Sequence, residues 1–384
     1  MRILIILTYY RPYTSGLTIH AEREARALLA RGHQVVVLTS LHINTLPAHE
    51  VMDGVEVYRS KVWARISKGA LMPTMFLQGG KLARQADVIH LHLPQLDAAP
   101  IAIICRLRRK PVVVTYHCDL ALPPGLVNRV ANQIIDIASH ITCKLAEVIV
   151  HNTRDYAENS PFLRRYLEKV FPILPPVVVP EASQDDINAF REKYHLVPGQ
   201  AIIGMAARLA TEKGVEYMME ALPRVLEKYP QARLLFVGPY QNVLGEEQYA
   251  RRLLPLVEKL GQHWEFLGVI PAIEQAAFFR VSNLMVLPSI NSTESYGLVQ
   301  VESMTCRTPV VASDLPGVRV PVQMTGMGRI VPRANAEALA QAIIEMLDHP
   351  DQYRRDPSEI VRLSSPEHVA EEYEKVFMKA KGDL

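Results

Sequence analysis

The stretch from Asn283 to Asp314, NLMVLPSINSTESYGLVQVESMTCRTPVVASD, decides the fold prediction. An apolar run over 284–287 stops at Pro288, and a polar loop follows it. Gly297 then opens a segment with helical apolar spacing, which ends before Pro309 and a second apolar run. This order predicts a strand, a loop, a helix and a second strand, the repeating unit of a parallel α/β sheet.

Two carboxylates frame the helix start predicted within this stretch. Glu294 and Glu302 are eight residues apart, and the Tyr296-Gly297-Leu298 backbone lies between them. The first turn of a helix presents unpaired N–H groups and a partial positive charge, which favour a phosphate. Carboxylates accept hydrogen bonds from hydroxyl groups. The stretch therefore favours a ligand that carries both phosphates and hydroxyls, although an exposed glutamate pair on a helix remains the alternative.

A second motif lies about eighty residues upstream, in AIIGMAARLATEKGV over 201–215. An apolar run is followed by Arg208 and Lys213, two cations within one predicted strand-to-helix loop. Arginine offers a planar fork of donors and lysine a compact charge, and both suit a diphosphate. Read singly, either residue is also compatible with a solvated charge at a helix start.

The two motifs, RLxxEKG followed by E-x7-E with a PVV tail, resemble those of the family-4 retaining glycosyltransferases of GT-B fold. The strand GHQVVVLTS over 32–40 matches that family's pattern as well. The resemblance implies that Arg208 and Lys213 stabilise the leaving diphosphate, that Glu302 accepts from ribose hydroxyls and that Glu294 accepts from the transferred sugar. It also implies a donor-binding loop made of Ser295, Tyr296, Gly297 and Leu298.

The resemblance extends to the first half of the chain. TYHCDL over 115–120 resembles a family segment whose histidine lies beside the transferred sugar, which makes His117 a candidate catalytic residue with Arg208, Lys213 and Glu294. Asp119 is assigned to the acceptor side. Gly16 stands where the family shows a glycine pair near the diphosphate. Retaining enzymes of this family are thought to use front-face substitution, so no protein nucleophile is required. Arg307 departs from the family pattern, which commonly has glycine there.

Length and alternation predict two domains. The 384 residues exceed one ordinary core, and short apolar runs alternate with amphipathic segments, as in doubly wound parallel sheets. The fold class is α/β, two Rossmann-like domains that in GT-B proteins face each other across a cleft. We place the acceptor-binding domain at 1–174 and the nucleotide-sugar domain at 175–365, with the proline-rich linker at 171–180. Val148–His151 is predicted to end the first sheet, and a closing helix over 366–384 is implied to cross back to the first domain.

Composition excludes several classes of protein. No window reaches the eighteen or so apolar residues of a spanning helix, and the start MRILIILTYY predicts a first strand and not a signal peptide. Four scattered cysteines indicate a reduced compartment. The spacing shows no D-x-D pair and no His/Cys metal cluster, so no metal and no other cofactor is expected. A cytoplasmic enzyme, with the option of peripheral contact with the inner membrane face, is the predicted setting.

The first half of the chain is basic, with 21 lysines and arginines against 13 acidic residues over 1–175. Part of that charge lies in a segment that mixes cations with apolar residues: Lys61, Trp63, Arg65, Lys68, Leu71, Met72, Met75, Phe76, Leu77, Lys81 and Arg84. Such a segment suits an anionic membrane surface or a helix that covers the first sheet, and both interpretations stay open. A membrane contact would suit a lipid-linked acceptor. Nucleic acid is not expected, because no nucleic-acid motif accompanies the charge.

The sequence thus predicts a retaining glycosyltransferase that moves a hexosyl group from a UDP- or GDP-sugar to a carbohydrate or lipid-linked hydroxyl acceptor. One alternative is a nucleotide-sugar 2-epimerase of the same fold, which would change the donor without transfer. Another is a catalytically silent protein that binds nucleotide sugars. A Rossmann dehydrogenase lacks support, because no G-x-G-x-x-G follows the first strand.

Overall fold

A computed structural model describes residues 1–66, 69–120, 125–243 and 245–383. The chain folds into two units, Met1–Pro176 together with Leu363–Leu384, and Val177–Arg362. The first division therefore lies two residues after the predicted end of the first domain at 174. We call these parts unit 1 and unit 2.

Unit 1 contains an eight-stranded sheet with the order β10-β9-β8-β7-β1-β2-β4-β3. All its neighbouring strands are parallel except β3 and β4. Its strands, with those of a separate two-stranded hairpin (β5 and β6), are β1 (Arg2–Ile6), β2 (Gln34–Leu41), β3 (His49–Met52), β4 (Val55–Lys61), β5 (Ala64–Ile66), β6 (Gly69–Leu71), β7 (Val88–Leu93), β8 (Val112–Tyr116), β9 (Val148–His151) and β10 (Val170–Pro172). Its helices before residue 177 are α1 (Gly16–Ala30), α2 (Met75–Ala83), α3 (Ala98–Leu107), α4 (Leu126–Leu145) and α5 (Arg154–Asn159), followed by a 3-10 turn at Leu163–Arg165.

Apolar runs form the central strands because both faces of this sheet are covered. Leu4 and Ile6 of β1 belong to one hydrophobic cluster, whereas Ile3 and Ile5 belong to another. Successive side chains of a strand point to opposite faces, so this alternation places one cluster on each side of the sheet. A parallel sheet buried on both faces reads as a continuous apolar run, which is why the sequence indicated these strands.

Two predictions for unit 1 were wrong. The sheet does not end at β9, because β10 pairs with it in parallel; Pro172 is tolerated there because β10 is an edge strand. The mixed cationic segment is also not one amphipathic surface. It forms the β5–β6 hairpin and α2, and Met72 and Met75 are fully buried in the core. Trp63 and Leu77 remain largely exposed, and Lys68 lies outside the described residues.

Unit 2 contains a six-stranded, fully parallel sheet with the order β13-β12-β11-β14-β15-β16. The strands are β11 (Ile202–Ala206), β12 (Arg233–Val237), β13 (Trp264–Gly268), β14 (Leu284–Leu287), β15 (Val310–Ser313) and β16 (Gly328–Val331), of which β16 was not predicted. The helices are α6 (Gln184–Lys193), α7 (Val215–Lys228), α8 (Glu247–Leu260), α9 (Ala272–Val281), α10 (Leu298–Thr305), α11 (Val320–Thr325), α12 (Ala336–Asp348), α13 (Pro350–Tyr353) and α14 (Ser358–Leu363), with 3-10 turns at Thr211–Lys213 and Gly261–His263.

The closing helix α15 (Pro366–Lys381) belongs to unit 1, as the resemblance implied. Val369, Tyr373, Val376 and Phe377 are buried along one face of it, at the predicted helical spacing. Glu374 of α15 also accepts hydrogen bonds from Arg31, at 2.7 and 2.8 Å. Within the described part of the chain, no helix is both long and apolar enough to span a bilayer.

Candidate functional site

Two loops of unit 2 meet at one edge of its sheet. We call residues 207–214, which follow β11, the cationic loop, and residues 288–297, which follow β14, the carboxylate loop. Ile203 of β11 is in register with Leu284 of β14, and the two strands are parallel neighbours. Both loops therefore leave the sheet at the carboxyl ends of adjacent strands, where open α/β sheets bind ligands.

A glycine sets the contact between these loops. Gly214 has φ +62°, and a Cβ built on it would lie 2.1 Å from the carbonyl oxygen of Pro288. Any other residue would collide with that backbone atom, and it would also adopt the left-handed conformation that only glycine adopts freely. One hydrogen bond further ties the loops together, from Ile290 N to Glu212 O at 3.1 Å.

The side chains of the two loops form an ion pair. Lys213 Nζ contacts Glu294 Oε2, and the Ser289 hydroxyl donates to the same oxygen at 3.3 Å. The side chains of Lys213 and Glu294 are 19% and 12% exposed, so the pair is largely shielded but still reachable from solvent. Arg208 pairs with Glu212 inside the cationic loop at 3.0 Å. The predicted cations and the first predicted carboxylate thus share one region of unit 2.

The start of α10 offers a place for an anion. Gly297 is the N-cap residue with φ +78°, and no side-chain hydrogen bond caps the helix. The fully buried Gln300 donates from Nε2 to the carbonyl oxygens of Tyr296 and Val318, at 2.9 Å each, which fixes the backbone leading into the helix. The first-turn N–H groups of an uncapped helix favour negative charge. Glu302 lies on this helix and is 9% exposed.

Sequence reasoning missed two residues that hold this region. Gln300 is one of them, and Glu246 is the other. The Glu246 carboxylate is 6% exposed and accepts from Thr211 N at 3.0 Å and from the Thr211 hydroxyl at 2.8 Å. Glu246 thereby stabilises the 3-10 turn that carries Lys213. Nothing in the spacing signals this contact, because 35 residues separate its partners.

The remaining predicted site residues belong to unit 1. His117 directly follows β8 and is 9% exposed, with Nε2 2.8 Å from His92 Nδ1. Burial, together with the charges that His20 and His151 would carry, holds the pKa of His117 well below its usual value, so the ring is neutral at neutral pH.

Asp119 and Gly16 have structural contacts of their own in unit 1. Asp119 Oδ1 accepts from the hydroxyls of Tyr116 and Ser160, at 2.9 and 2.8 Å, whereas its buried Oδ2 makes no hydrogen bond to the part of the chain that the structure describes. Gly16 is the first residue of α1, directly after the N-cap residue Ser15.

Comparisons with known proteins identify the family. Residues 15–173 match the sequence model of the glycosyl transferase 4-like domain, and residues 186–363 match that of the glycosyl transferases group 1. These two ranges span most of the chain. The chain belongs to the family-4 glycosyltransferases. It is 26% identical to the phosphatidyl-myo-inositol mannosyltransferase of Mycobacterium leprae over 98% of this chain and 96% of that protein.

Solved structures show that this glycosyltransferase has the GT-B fold. The sucrose-phosphate synthase of Thermosynechococcus elongatus superposes with a TM-score of 0.76 at 22% identity, and all of both chains is covered. HepE of Anabaena, solved in complex with UDP-glucose, gives a TM-score of 0.78 at 19% identity, again over both entire chains. These TM-scores over entire chains establish the common fold.

The backbone conformation at residue 307 explains why the family pattern commonly has glycine there. Arg307 follows α10 and has φ +64°, in the left-handed region that glycine adopts without strain. Its side chain is exposed. Hydrogen bonds from Ser358 are the main cause of the lowered pKa of Asp356, and the positive charge of Arg307 adds to that effect. The family's glycine is therefore accounted for by the backbone conformation at this turn.

Proposed function

We propose that this glycosyltransferase transfers a hexosyl group, with retention of anomeric configuration, from a UDP- or GDP-sugar to a hydroxyl of a lipid-linked or cell-envelope acceptor. The observation that carries the proposal is the contact between the cationic and carboxylate loops, in which Lys213 meets Glu294 and Gly214 lies against Pro288. The contact groups two cations, a carboxylate and an uncapped helix start at one sheet edge.

Arg208 and Lys213 are proposed to bind the diphosphate of the donor. As the glycosidic bond breaks, negative charge grows on the leaving diphosphate, and fixed cations aimed at it stabilise the transition state more than the ground state. One well-placed hydrogen-bond donor lowers such an activation barrier by about 3 to 4 kcal/mol. Glu212 holds Arg208, and Glu294 holds Lys213, so both cations are oriented before a ligand arrives.

Glu294 and Glu302 are proposed to bind hydroxyl groups. Glu294 would accept from the hexose and Glu302 from the ribose, while Ser295, Tyr296, Gly297 and Leu298 supply the loop and the amide groups that contact the donor. When the diphosphate engages Lys213, the Glu294 carboxylate becomes available to the sugar. In unit 1, the neutral ring of His117 is assigned to the sugar and Asp119 to the acceptor.

Front-face substitution accounts for retention without a protein nucleophile. The bond between the anomeric carbon and the diphosphate oxygen breaks, and the acceptor oxygen bonds to the same face of that carbon. The acceptor proton passes to an oxygen of the departing diphosphate. Since Arg208 and Lys213 supply the positive charge, this transfer is proposed to need no metal ion at the donor.

A lipid-linked acceptor is supported by the surface of α4. Four aliphatic side chains recur on one face of this helix at spacings of four, three and four residues: Val130 (46% exposed), Ile134 (48%), Ile137 (60%) and Ile141 (37%). An amphipathic helix of this kind lies in a membrane interface with its apolar face inward. The mycobacterial relative is named for a phosphatidyl-myo-inositol substrate, which agrees with an acceptor presented at the inner membrane face.

Donor and reaction type can be tested on the purified protein. A panel of UDP- and GDP-sugars is incubated with phosphatidylinositol vesicles, polyprenyl phosphate or free inositol phosphate, and the product anomer is assigned by NMR. Transfer with retention, present in EDTA and at least a hundredfold weaker in Arg208→Ala, supports the proposal. An inverted product would contradict it, as would an epimerised donor without transfer or activity restored only by added magnesium.

The membrane contact is tested separately by flotation with anionic vesicles at low salt. Ile137→Glu should reduce the bound fraction severalfold, because it places a charge in the aliphatic row of α4. Ile103→Glu is the matched control, since Ile103 is a 42% exposed isoleucine on α3 of the same unit. Equal binding by wild type and both variants, or no binding at all, would refute the membrane contact and leave the glycosyl transfer unaffected.

A further inference from the structure

The core of unit 1 contains three ionisable side chains that the proposed reaction does not use. Glu24 on α1 and His90 and His92 on β7 are all 0 to 1% exposed. The two histidines are two residues apart on one strand and therefore point to the same face of the sheet. The rings of Tyr373 and Phe377 of α15 pack against the His90 ring, with centroid distances of 5.2 and 5.6 Å. A carboxylate in such surroundings is costly unless it is paired or bound to a metal.

The polar atoms of these residues converge. Glu24 Oε1 is 2.8 Å from His90 Nδ1, and Oε2 is 3.8 Å from His92 Nε2. One ligand atom of each residue lies within 4.8 Å of the others. Despite the short distances, neither Glu24 oxygen, nor His90 Nδ1, nor His92 Nε2 makes a hydrogen bond of normal geometry with any of the described residues. Four buried polar atoms thus converge within ion-pair distance of one another, yet without the well-directed hydrogen bonds that buried groups normally have.

The opposite nitrogen of each histidine is occupied. His90 Nε2 lies 2.7 Å from Thr115 Oγ1, which in turn lies 3.0 Å from the Tyr373 hydroxyl. His92 Nδ1 lies 2.8 Å from His117 Nε2. Metal-bound histidines almost always donate their second N–H to such a partner, which fixes the tautomer and the ring orientation. In the tautomer that places these N–H groups on Thr115 and His117, the lone pairs of His90 Nδ1 and His92 Nε2 would be directed at Glu24.

We propose that Glu24, His90 and His92 bind one divalent transition-metal ion of the zinc class in the core of unit 1. Bonds of about 2.0 to 2.1 Å in a tetrahedral zinc site separate the ligand atoms by roughly 3.4 Å, and the two measured separations lie on either side of that value. A water molecule would take the fourth position, because His20, whose Nε2 lies 3.6 Å from Glu24 Oε2, also lies 3.2 Å from the Tyr373 hydroxyl and is not one of the three converging ligands.

The ion would also position His117. It would hold the His92 ring, and His92 in turn contacts His117. This second role rests on the proposed function, in which His117 meets the donor sugar, whereas metal binding itself does not. The site is separate from the diphosphate cations of unit 2. A buried ion exchanges slowly, so brief EDTA treatment that leaves transfer intact is compatible with it.

Metal content tests the site directly. The full chain, with any affinity tag removed, is refolded with Zn²⁺ or Co²⁺, dialysed, and analysed by mass spectrometry of the metal. Wild type should retain about one ion per chain, and Glu24→Gln, which keeps the side-chain shape, should retain at least tenfold less. His49→Gln is the control, because it replaces an exposed histidine of the same unit. Wild type that retains no more metal than Glu24→Gln would overturn the proposal.

A Glu24→Gln variant that fails to fold would also lack metal, so a second test uses spectroscopy on the wild type alone. X-ray absorption of the zinc form should show nitrogen and oxygen ligands at about 2.0 to 2.1 Å with the scattering of two imidazoles. A spectrum without imidazole ligands would place the ion elsewhere and refute the site. For the role of His117, Glu24→Gln should lower kcat more than it raises KM; a normal kcat would refute that role, while metal content still reports on the site.

Discussion

Replacing Gly214 by alanine should separate the two loops that are proposed to bind the donor. Two costs arise. The first is conformational, since alanine at φ +62° costs about 1 kcal/mol. The second is steric, since the new Cβ would lie 2.1 Å from Pro288 O and 2.9 Å from Ile290 Cγ2. The Pro288 oxygen is backbone, so the loops must move apart by about 1 Å.

Gly199→Ala is the matched control for this change. Gly199 also lies in unit 2 and has φ +79°, and no atom of a described residue lies within 4 Å of the position of a Cβ. The conformational cost of about 1 kcal/mol should appear in both variants as a fall in Tm of about 2 to 4 °C for a domain of this size, and Gly214→Ala should lose more stability than Gly199→Ala. Only Gly214→Ala carries the steric cost.

Binding of UDP and GDP by calorimetry measures the consequence. A displacement of about 1 Å at a catalytic site costs roughly a hundredfold, which corresponds to about 2.7 kcal/mol. We expect Gly214→Ala to weaken binding of the preferred nucleotide 10- to 100-fold, and Gly199→Ala to leave it within twofold. If the two variants bind the nucleotide equally well, the contact between the cationic and carboxylate loops is not what forms the donor site.

Three further predictions concern single side chains. Lys213→Ala should lower kcat/KM by about 10²- to 10³-fold. The control, Lys193→Ala, breaks the more exposed ion pair with Glu274 in the same unit and should change kcat/KM less than twofold. Equal losses in the two variants would contradict the role assigned to Lys213. Burial lowers the pKa of His151 to about 4, so the unfolded chain binds more protons than the folded chain below pH 6.5. Between pH 7 and 5, this histidine should lower the free energy of unfolding in urea by about 2 kcal/mol. His151→Gln should remove that share of the change, and an unaltered pH dependence would refute the prediction. Arg307→Gly should alter stability by less than about 1 kcal/mol, because relief of the left-handed backbone offsets the added freedom of the unfolded chain, and a changed nucleotide affinity would place Arg307 in the donor site after all.

The sequence predicted the central strands of both sheets because their chemistry is uniform along the chain. A strand such as β14, buried on both faces, must be apolar throughout, and the helix that follows it must show helical spacing. Three edge strands, β3, β10 and β16, carry no such signal. β3 alternates exposed and half-buried residues, β10 contains a proline, and β16 begins with glycine. Their pairing is decided by tertiary contacts, which are not encoded locally.

The donor region divides in the same way. Arg208, Lys213, Glu294 and Gly297 could be selected because each lies at a predicted strand end or helix start, where a particular side chain or backbone conformation has a chemical use. Their supports could not. Gln300 resembles any polar residue of a helix and Glu246 any acidic one, and only the fold shows that they are buried with specific hydrogen bonds.

The Glu24, His90 and His92 cluster shows why spacing along the chain fails for some sites. The motif search expected no metal ligands, because it compared residues that are close in sequence. Here Glu24 and His90 are 66 positions apart in the chain, and His90 and His92 alternate with apolar residues in a fully buried strand. Parallel β-α-β connections bring the helix that follows one strand against its neighbour, so a ligand set can be shared between α1 and β7 without any local pattern. Buried polar atoms without partners are then the more sensitive signal, because a folded core leaves few of them unexplained.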